Sequence, residues 1–491
     1  MRLDVSSLGR LGDEVAVPAY DRSRSTVGIV HIGVGGFHRS HQAMYLDRLM
    51  NDGLAHDWAV CGVGLMPGDA RMRDVLRDQS GLYTLMLKSA GERCVRVIGS
   101  VAEYLFAPDD PGAVVERMTD PGVRIVSMTL TEGGYNVHPA TGEFDADNPD
   151  VRDDVANPGA PRTAFGLVVE ALRRRRERAV PPFAVMSCDN VQSNGDVAAN
   201  AVSSFADLVD PGLGGWIRAH VAFPNSMVDR ITPVTTDADR EEVRTRFGID
   251  DGWPVVAEPF TQWALEDRFP LGRPPFERAG VQLVDDVEPY ELMKLRLLNA
   301  THQGMCYFGT LAGYRYAHEA TADPAIERLL RTYMDTEATP TLQQLPGVDL
   351  DAYKGTLIER YLNRDIADTL ARLCAESSDR IPTWLVPVIR ERLAAGGEVW
   401  RSAAVVASWA RYAEGVDEAG REYEVVDQLA DRLVPLARTQ RENPTAFIED
   451  ERLFGDLAQD DRFVRPYVET LTMLHQRGAR ATLDQLAARS G

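Results

Sequence analysis

The segment "PYELMKLRLLNATHQGMCYFG", Pro289 to Gly309, holds four side chains able to move or hold a proton: Glu291, Lys294, Asn299 and His302. On an α-helix turning about 100° per residue, with Lys294 at zero, Glu291 falls near 60°, His302 near 80° and Asn299 near 140°. All four share one sector. Leu292, Met293, Leu295, Leu297 and Leu298 fill most of the remaining perimeter, and a helix that is apolar nearly all round is a buried one. Burial disfavours the ammonium and lowers a lysine pKa, and a lysine neutral near physiological pH is a good general base. An amide at Asn299 suits a developing oxyanion, and an imidazole can orient a hydroxyl. The same spacing also fits a lysine that snorkels to solvent and a satisfied core histidine.

A second candidate is "HIGVGGFHRSHQ", His31 to Gln42. It follows an apolar run and leads into a helical pattern, the context a dinucleotide loop needs. Gly33 allows the tight turn, Gly35 lets backbone approach a pyrophosphate, and the next helix points its N-terminus at the anion. His38 stands where the usual third glycine would be. Two other readings fit: a metal site on His38 and His41, whose i, i+3 spacing lacks any second ligand cluster, and a plain glycine turn with a capping histidine. A dinucleotide fold also needs a carboxylate beyond the second strand for the adenosine ribose. The first there is Asp69, farther from the glycines than usual; it also suits a helix N-cap. An acid here favours NAD over NADP.

The elements that must carry these residues are legible as runs. "VGIVHIG", "WAVCGVGL", "VRIVSMTL", "FAVMSC" and "HVAF" (His220–Phe223) read as buried strands, with helical patterns such as 164–172 and 197–208 between them. Such alternation predicts a parallel sheet covered on both faces. Past "FPLGRPPFERAG" the texture is helical. The expected fold class is α/β: a Rossmann-type doubly wound domain over residues 1–285, then a mainly helical domain over 286–491. Asn190 and Asp229 then lie just past strand ends, where doubly wound sheets bind ligands, and the expected active site is a cleft between the domains.

Composition narrows the class. A net charge of −21 argues against nucleic-acid binding. The one basic cluster, "RRRRER" from Arg173, reads as a solvated helix end, where cations suit the dipole. No apolar run is long enough to span a bilayer, and the N-terminus has no apolar core of a secretory signal. Five scattered cysteines without a CxxC pair point to reduced thiols and the cytoplasm.

Together the motifs "HIGVGGFHRSHQ", "SMTLTEGGY", "MSCDN", "FPNSMVDRITP", "EPFTQWALEDRF" and "KLRLLNATH" resemble the polyol-specific long-chain dehydrogenases, nearly end to end. In that family the glycine loop ends in Phe-His-Arg, so the resemblance implies a nucleotide loop and no metal at His38 or His41. It implies cofactor contacts at Gly33, Gly35, Gly36, Phe37, Asp69 and Glu132. It assigns the general base to Lys294, the oxyanion amides to Asn190 and Asn299, and substrate contacts to Asp229, His302 and Arg372. Glu291 takes a part in proton and water traffic.

Two positions depart from the family. Gly68 stands where a second acid is common, and Arg380 replaces a substrate-contacting lysine. Arginine keeps the charge but is larger and planar. The implied activity is zinc-independent, NAD-dependent oxidation of a polyol to a ketose, D-mannitol to D-fructose foremost, by a monomer. A fructuronate (mannonate) oxidoreductase, which Arg372 and Arg380 would suit, another polyol such as D-arabinitol, and a non-catalytic nucleotide-binding module are the alternatives.

Overall fold

The computed structural model describes residues 1–137 and 143–489 of the chain. They divide into two compact units, Met1–Glu288 and Pro289–Gly491.

The first unit is built on five parallel strands: β1 (Val27–Ile32), β2 (Ala59–Gly64), β3 (Val101–Phe106), β4 (Ile125–Met128) and β5 (Ala184–Ser187). They lie in the order β3-β2-β1-β4-β5, the doubly wound arrangement with its switch point between β1 and β4. Every residue of β2 is buried, as are all of β1 but Val27. This is why these strands read as unbroken apolar runs rather than alternating ones. Val30, Ile32, Val126 and Met128 pack with Val114, Phe165, Val168 and Val202 on one face. Ile29, Val60 and Ile125 pack with Ala43, Leu46 and Leu49 on the other. The covering helices are α1 (Gly36–Ser40), α2 (Gln42–Asn51), α3 (Ala70–Asp78), α4 (Pro111–Thr119), α5 (Ala164–Glu177) and α6 (Asn194–Val209).

Two expectations fail here. His220–Phe223 is not a strand: His220 ends the helix Pro211–His220, and the strand comes later, as β6 (Ser226–Asp229). β6 pairs antiparallel with β7 (Gln262–Glu266), which pairs with β8 (Gln282–Val284). Nor is the arginine run wholly solvated. Arg175 is fully buried, and its guanidinium donates to the carbonyls of Met118, Asp120, Val123 and Pro181, which ties the end of α5 to the turn before β4.

The second unit is helical. Its first helix runs from α7 (Glu288–Met293) through a π-helical turn, Lys294–Asn299, into α8 (Ala300–Leu311). Around it lie α9 (Pro324–Tyr333), α10 (Leu350–Tyr361), α11 (Leu370–Cys374) and α12 (Trp400–Tyr412). A second π turn, Met334–Ala338, follows α9, and its Glu337 carboxylate accepts the Arg401 and Ser402 amides that open α12.

Candidate active site

The glycine loop leaves β1 as a tight turn. Gly33 has φ +91°, and a Cβ there would stand 2.2 Å from the Thr129 carbonyl oxygen, so only glycine serves. Gly35 needs a different explanation. Its φ is −93°, and a Cβ would meet only the Gly33 carbonyl, at 3.9 Å. The fold itself does not demand glycine at 35, whereas close approach of a pyrophosphate does. Gly36 and Phe37 open α1. These residues therefore fit a dinucleotide.

His31, deep in β1, braces the turn. Its Nδ1 meets Ser127 Oγ at 2.8 Å and its Nε2 meets Thr129 Oγ1 at 3.1 Å. His38 stacks on it. His41 Nε2 instead meets the Gln262 carbonyl at 3.1 Å. Those surroundings are structural, and among the described residues no three His, Cys, Asp or Glu side chains gather where they could hold a metal ion.

Asp69 sits past β2, half-buried, at the end of the short turn Pro67–Asp69. Its side chain does not cap α3. Its Oδ2 instead accepts the Leu65 and Met66 amides, each at 2.9 Å, which holds the carboxylate against the strand end. Gly64, the last residue of β2, has no room for a Cβ between Asp69 and Tyr104. Glu132 opens the turn Glu132–Tyr135; its side chain lies outside the described residues.

Asn190 follows β5 and is exposed. The residue that positions it, Asp189, was missed in the sequence. The Asp189 carboxylate accepts the Leu130 and Thr131 amides at 2.9 and 2.8 Å and the Tyr135 hydroxyl at 2.7 Å, so it binds the loop after β4 to the loop after β5. Burial and this carboxylate together push the Tyr135 hydroxyl well above its ordinary pKa. Asn194 carries the chain of contacts onward, donating to the Asp189 and Ser226 carbonyls at 3.0 and 2.7 Å. Ser226 starts β6, which ends at the buried Asp229. One polar network thus fixes the loops bearing Glu132 and Asn190 and the strand bearing Asp229. The only trace of it in the sequence is "SCDN" after a strand.

In the second unit Lys294 is 7% exposed, Glu291 and Asn299 are equally buried, and His302 is half-buried. The π turn changes their expected phase. Within it the Ala300 amide donates to the Leu295 carbonyl, an i→i−5 bond. Such a turn takes in about one extra residue and sets all that follows back by roughly 100°. Asn299 then moves from about 140° to about 40°, and His302 from about 80° to about −20°. Glu291, which precedes the turn, stays near 60°. The sector spanned by the four side chains shrinks from about 140° to about 80°.

The two arginines lie together at α11. Arg372 forms a fork with Asp368, Nε to Oδ1 at 2.7 Å and Nη2 to Oδ2 at 2.6 Å. Arg380 donates to the Leu373 carbonyl at 2.9 Å. Gln303, the neighbour of His302, donates to the same carbonyl at 3.3 Å.

Family comparisons agree with this anatomy. Residues 27–278 match the mannitol dehydrogenase Rossmann domain, and residues 286–475 the mannitol dehydrogenase C-terminal domain. A mannitol 2-dehydrogenase of Aspergillus fumigatus is 46% identical over 481 residues, 96% of each chain. Another, of Phaeosphaeria nodorum, is 45% identical over 491 residues, 99% of this chain and 86% of that one. Among solved structures, Pseudomonas fluorescens mannitol 2-dehydrogenase in a ternary complex with NAD and D-mannitol superposes with a TM-score of 0.90 at 44% identity, covering both chains completely. A substrate-free D-sorbitol dehydrogenase superposes with a TM-score of 0.92 at 36% identity, over 98% of this chain and all of that one. The chain belongs to the mannitol dehydrogenase family, through both its Rossmann domain and its C-terminal domain.

Proposed function

We propose that this protein oxidises D-mannitol at C2 to D-fructose, reversibly and without a metal ion. The observation that carries the reading is the buried Lys294, aligned with Asn299 and His302, in a chain 44% identical to a mannitol 2-dehydrogenase along its whole length. NAD, when bound, accepts the hydride released from the carbinol carbon. Residues 1–285 serve the nucleotide: the Gly33–Phe37 turn receives the pyrophosphate, and Asp69 holds the adenosine ribose.

Residues 286–491 serve the alcohol. Lys294 takes the hydroxyl proton as the hydride departs, which needs a neutral amine and is helped by burial. Asn299 donates to the oxygen as charge develops on it, the kind of pre-oriented contact worth most in a dry site. Asn190 is assigned the same task, and Asp229 and His302 recognise further substrate hydroxyls. Glu291 passes the proton on from Lys294.

One observation weighs against a uronate substrate. Arg372 already has part of its charge met through Nε and Nη2 by the two-point contact with Asp368, which weakens its pull on a substrate carboxylate. Arg380 donates to the Leu373 carbonyl and lies over the Trp384 ring, so its guanidinium is also partly engaged within the protein. All five cysteines are free thiols, which supports a cytoplasmic, reducing setting. No helix among the described residues is long and apolar enough to cross a membrane.

The test is NADH formation with D-mannitol, D-sorbitol, D-arabinitol and D-mannonate under one set of conditions. D-mannitol should have the highest kcat/KM, by roughly ten- to hundred-fold over an epimer. A higher value for D-mannonate would give the site to the uronates.

A further inference from the structure

In the π turn between Lys294 and Asn299 the Ala300 amide donates to Leu295 and so passes over the Arg296 carbonyl, its usual helical acceptor, and side-chain hydroxyls reach the carbonyls of Arg296, Leu297 and Leu298. Tyr333, at the end of α9, donates to the Arg296 carbonyl at 3.1 Å. The Thr301 hydroxyl shares its one proton between the Leu297 carbonyl at 2.5 Å and the Leu298 carbonyl at 2.9 Å. Tyr361, at the end of α10, donates to the Leu298 carbonyl at 3.2 Å, and its oxygen lies 2.7 Å from the Thr301 hydroxyl. A threonine bonding back one turn is common in any helix. Two buried tyrosines reaching in from two other helices are not.

The turn is anchored on its far side as well. Arg296 forks onto Glu391 at 2.7 and 2.6 Å and donates to the Thr341 carbonyl at 2.8 Å. Tyr361 also lies against the His302 ring, centroids 5.0 Å apart. A buried carbonyl that loses a hydrogen-bond donor is costly. Without these hydroxyls the stretch gains by closing its ladder as an α-helix, and closing it turns Asn299 and His302 away from Lys294 by roughly 100°.

We infer that Tyr333 and Tyr361 are positioning residues for the proton transfer: their hydroxyls hold the Lys294–Asn299 turn in its π form and so set the phase at which Lys294, Asn299 and His302 face the substrate. This rests on the reading of Lys294 as the proton acceptor. Neither tyrosine needs to touch the alcohol or the nucleotide for this role.

The experiment uses the full chain with Tyr333→Phe and Tyr361→Phe, which remove one oxygen each and keep the ring. Steady-state kinetics with D-mannitol and NAD are measured well below the melting temperature, across pH, beside wild type and Lys294→Ala. Each tyrosine variant should lose roughly ten- to hundred-fold in kcat, the usual cost of a small misplacement of reacting groups. NADH affinity should stay within about two-fold, because only the turn is disturbed. The apparent pKa of kcat should rise toward that of an ordinary lysine as the amine becomes better solvated.

If a tyrosine variant does not fold, Thr301→Val, close to isosteric, removes a hydroxyl of the same cluster and should show the same pattern, with Thr301→Ser restoring activity. A lower melting temperature with wild-type kcat and an unmoved pH profile would overturn the inference and leave these hydroxyls a purely structural role. The Lys294→Ala control separates the two claims. An active Lys294→Ala defeats the proton-acceptor reading itself, whereas an inactive Lys294→Ala beside wild-type-like tyrosine variants defeats only the inference.

Discussion

His38 lies flat on His31, ring centroids 3.6 Å apart and planes within 11° of parallel. Both rings are fully buried, and neither His38 nitrogen has a hydrogen-bond partner among the described residues. Burial pushes His31 down to about 3 and His38 well below 6.5, the latter lowered further by the neighbouring His31, Arg39 and His41. Two neutral rings can stack like this where two imidazolium ions could not.

A pH dependence of stability follows. A histidine whose folded pKa is depressed contributes stability that is complete above the unfolded pKa near 6.5. It is lost as pH falls toward the folded value, because the unfolded chain binds the proton first. Each ring should cost roughly 1 kcal/mol of stability per pH unit below 6.5. Melting temperature measured from pH 8 to pH 4 should therefore drop on the acid side, and His38→Phe, which keeps a stacked ring, should make the drop shallower. Equal acid slopes for the two proteins would show that His38 is not neutral in the fold.

Asp69 should read the cofactor. Its carboxylate is held at the end of β2 by the Leu65 and Met66 amides, where it would repel a 2′-phosphate. Asp69→Ala should weaken NAD and tolerate NADP, narrowing the ratio of their kcat/KM values by roughly ten- to hundred-fold. An unchanged ratio would assign the ribose to another residue.

Asp189 should matter although it is adjacent to, rather than one of, the residues assigned to chemistry. Asp189→Ala leaves the Leu130 and Thr131 amides and the Tyr135 hydroxyl without their acceptor, at about 1–3 kcal/mol for each buried orphan. A clear fall in melting temperature and a loss in kcat are expected, the latter because Asn190 loses its fixed loop. Wild-type stability in Asp189→Ala would mean that water replaces the carboxylate without cost.

Much of this was legible in the sequence because burial on both faces leaves a plain mark. β1, β2, β4 and β5 read as apolar runs, and the site helix stood out through polar residues in an apolar setting. What stayed hidden depends on partners distant in the chain. The π turn leaves no periodic signature of its own, since its donors are Tyr333 and Tyr361, so a uniform 100° per residue put Asn299 at the wrong angle. The hairpin of strands Tyr83–Ser89 and Glu92–Ile98 turns at Ala90–Gly91 with positive φ at both residues, a geometry that Asn-Gly would have advertised and Ala-Gly does not. Arg175 looked like part of a solvated run because the carbonyls that satisfy it come from residues before β4 and after α5. Asp189 was overshadowed by Asn190, which matches the family motif.

Chelation should leave turnover intact. The mechanism gives the proton to Lys294 and the oxyanion to amides, and no three potential metal ligands gather among the described residues. Prolonged dialysis against EDTA or phenanthroline should preserve kcat. Loss that zinc alone restores would replace the lysine mechanism with Lewis-acid chemistry.

The most direct measurement is the turnover of Lys294→Ala with D-mannitol and NAD, beside its affinity for NADH. Turnover should fall by at least ~10²–10⁴-fold, the usual worth of a general base, with NADH binding unchanged and partial recovery on adding small primary amines. A Lys294→Ala enzyme that turns over within a few-fold of wild type would contradict this, and the proton would then have to leave by another residue.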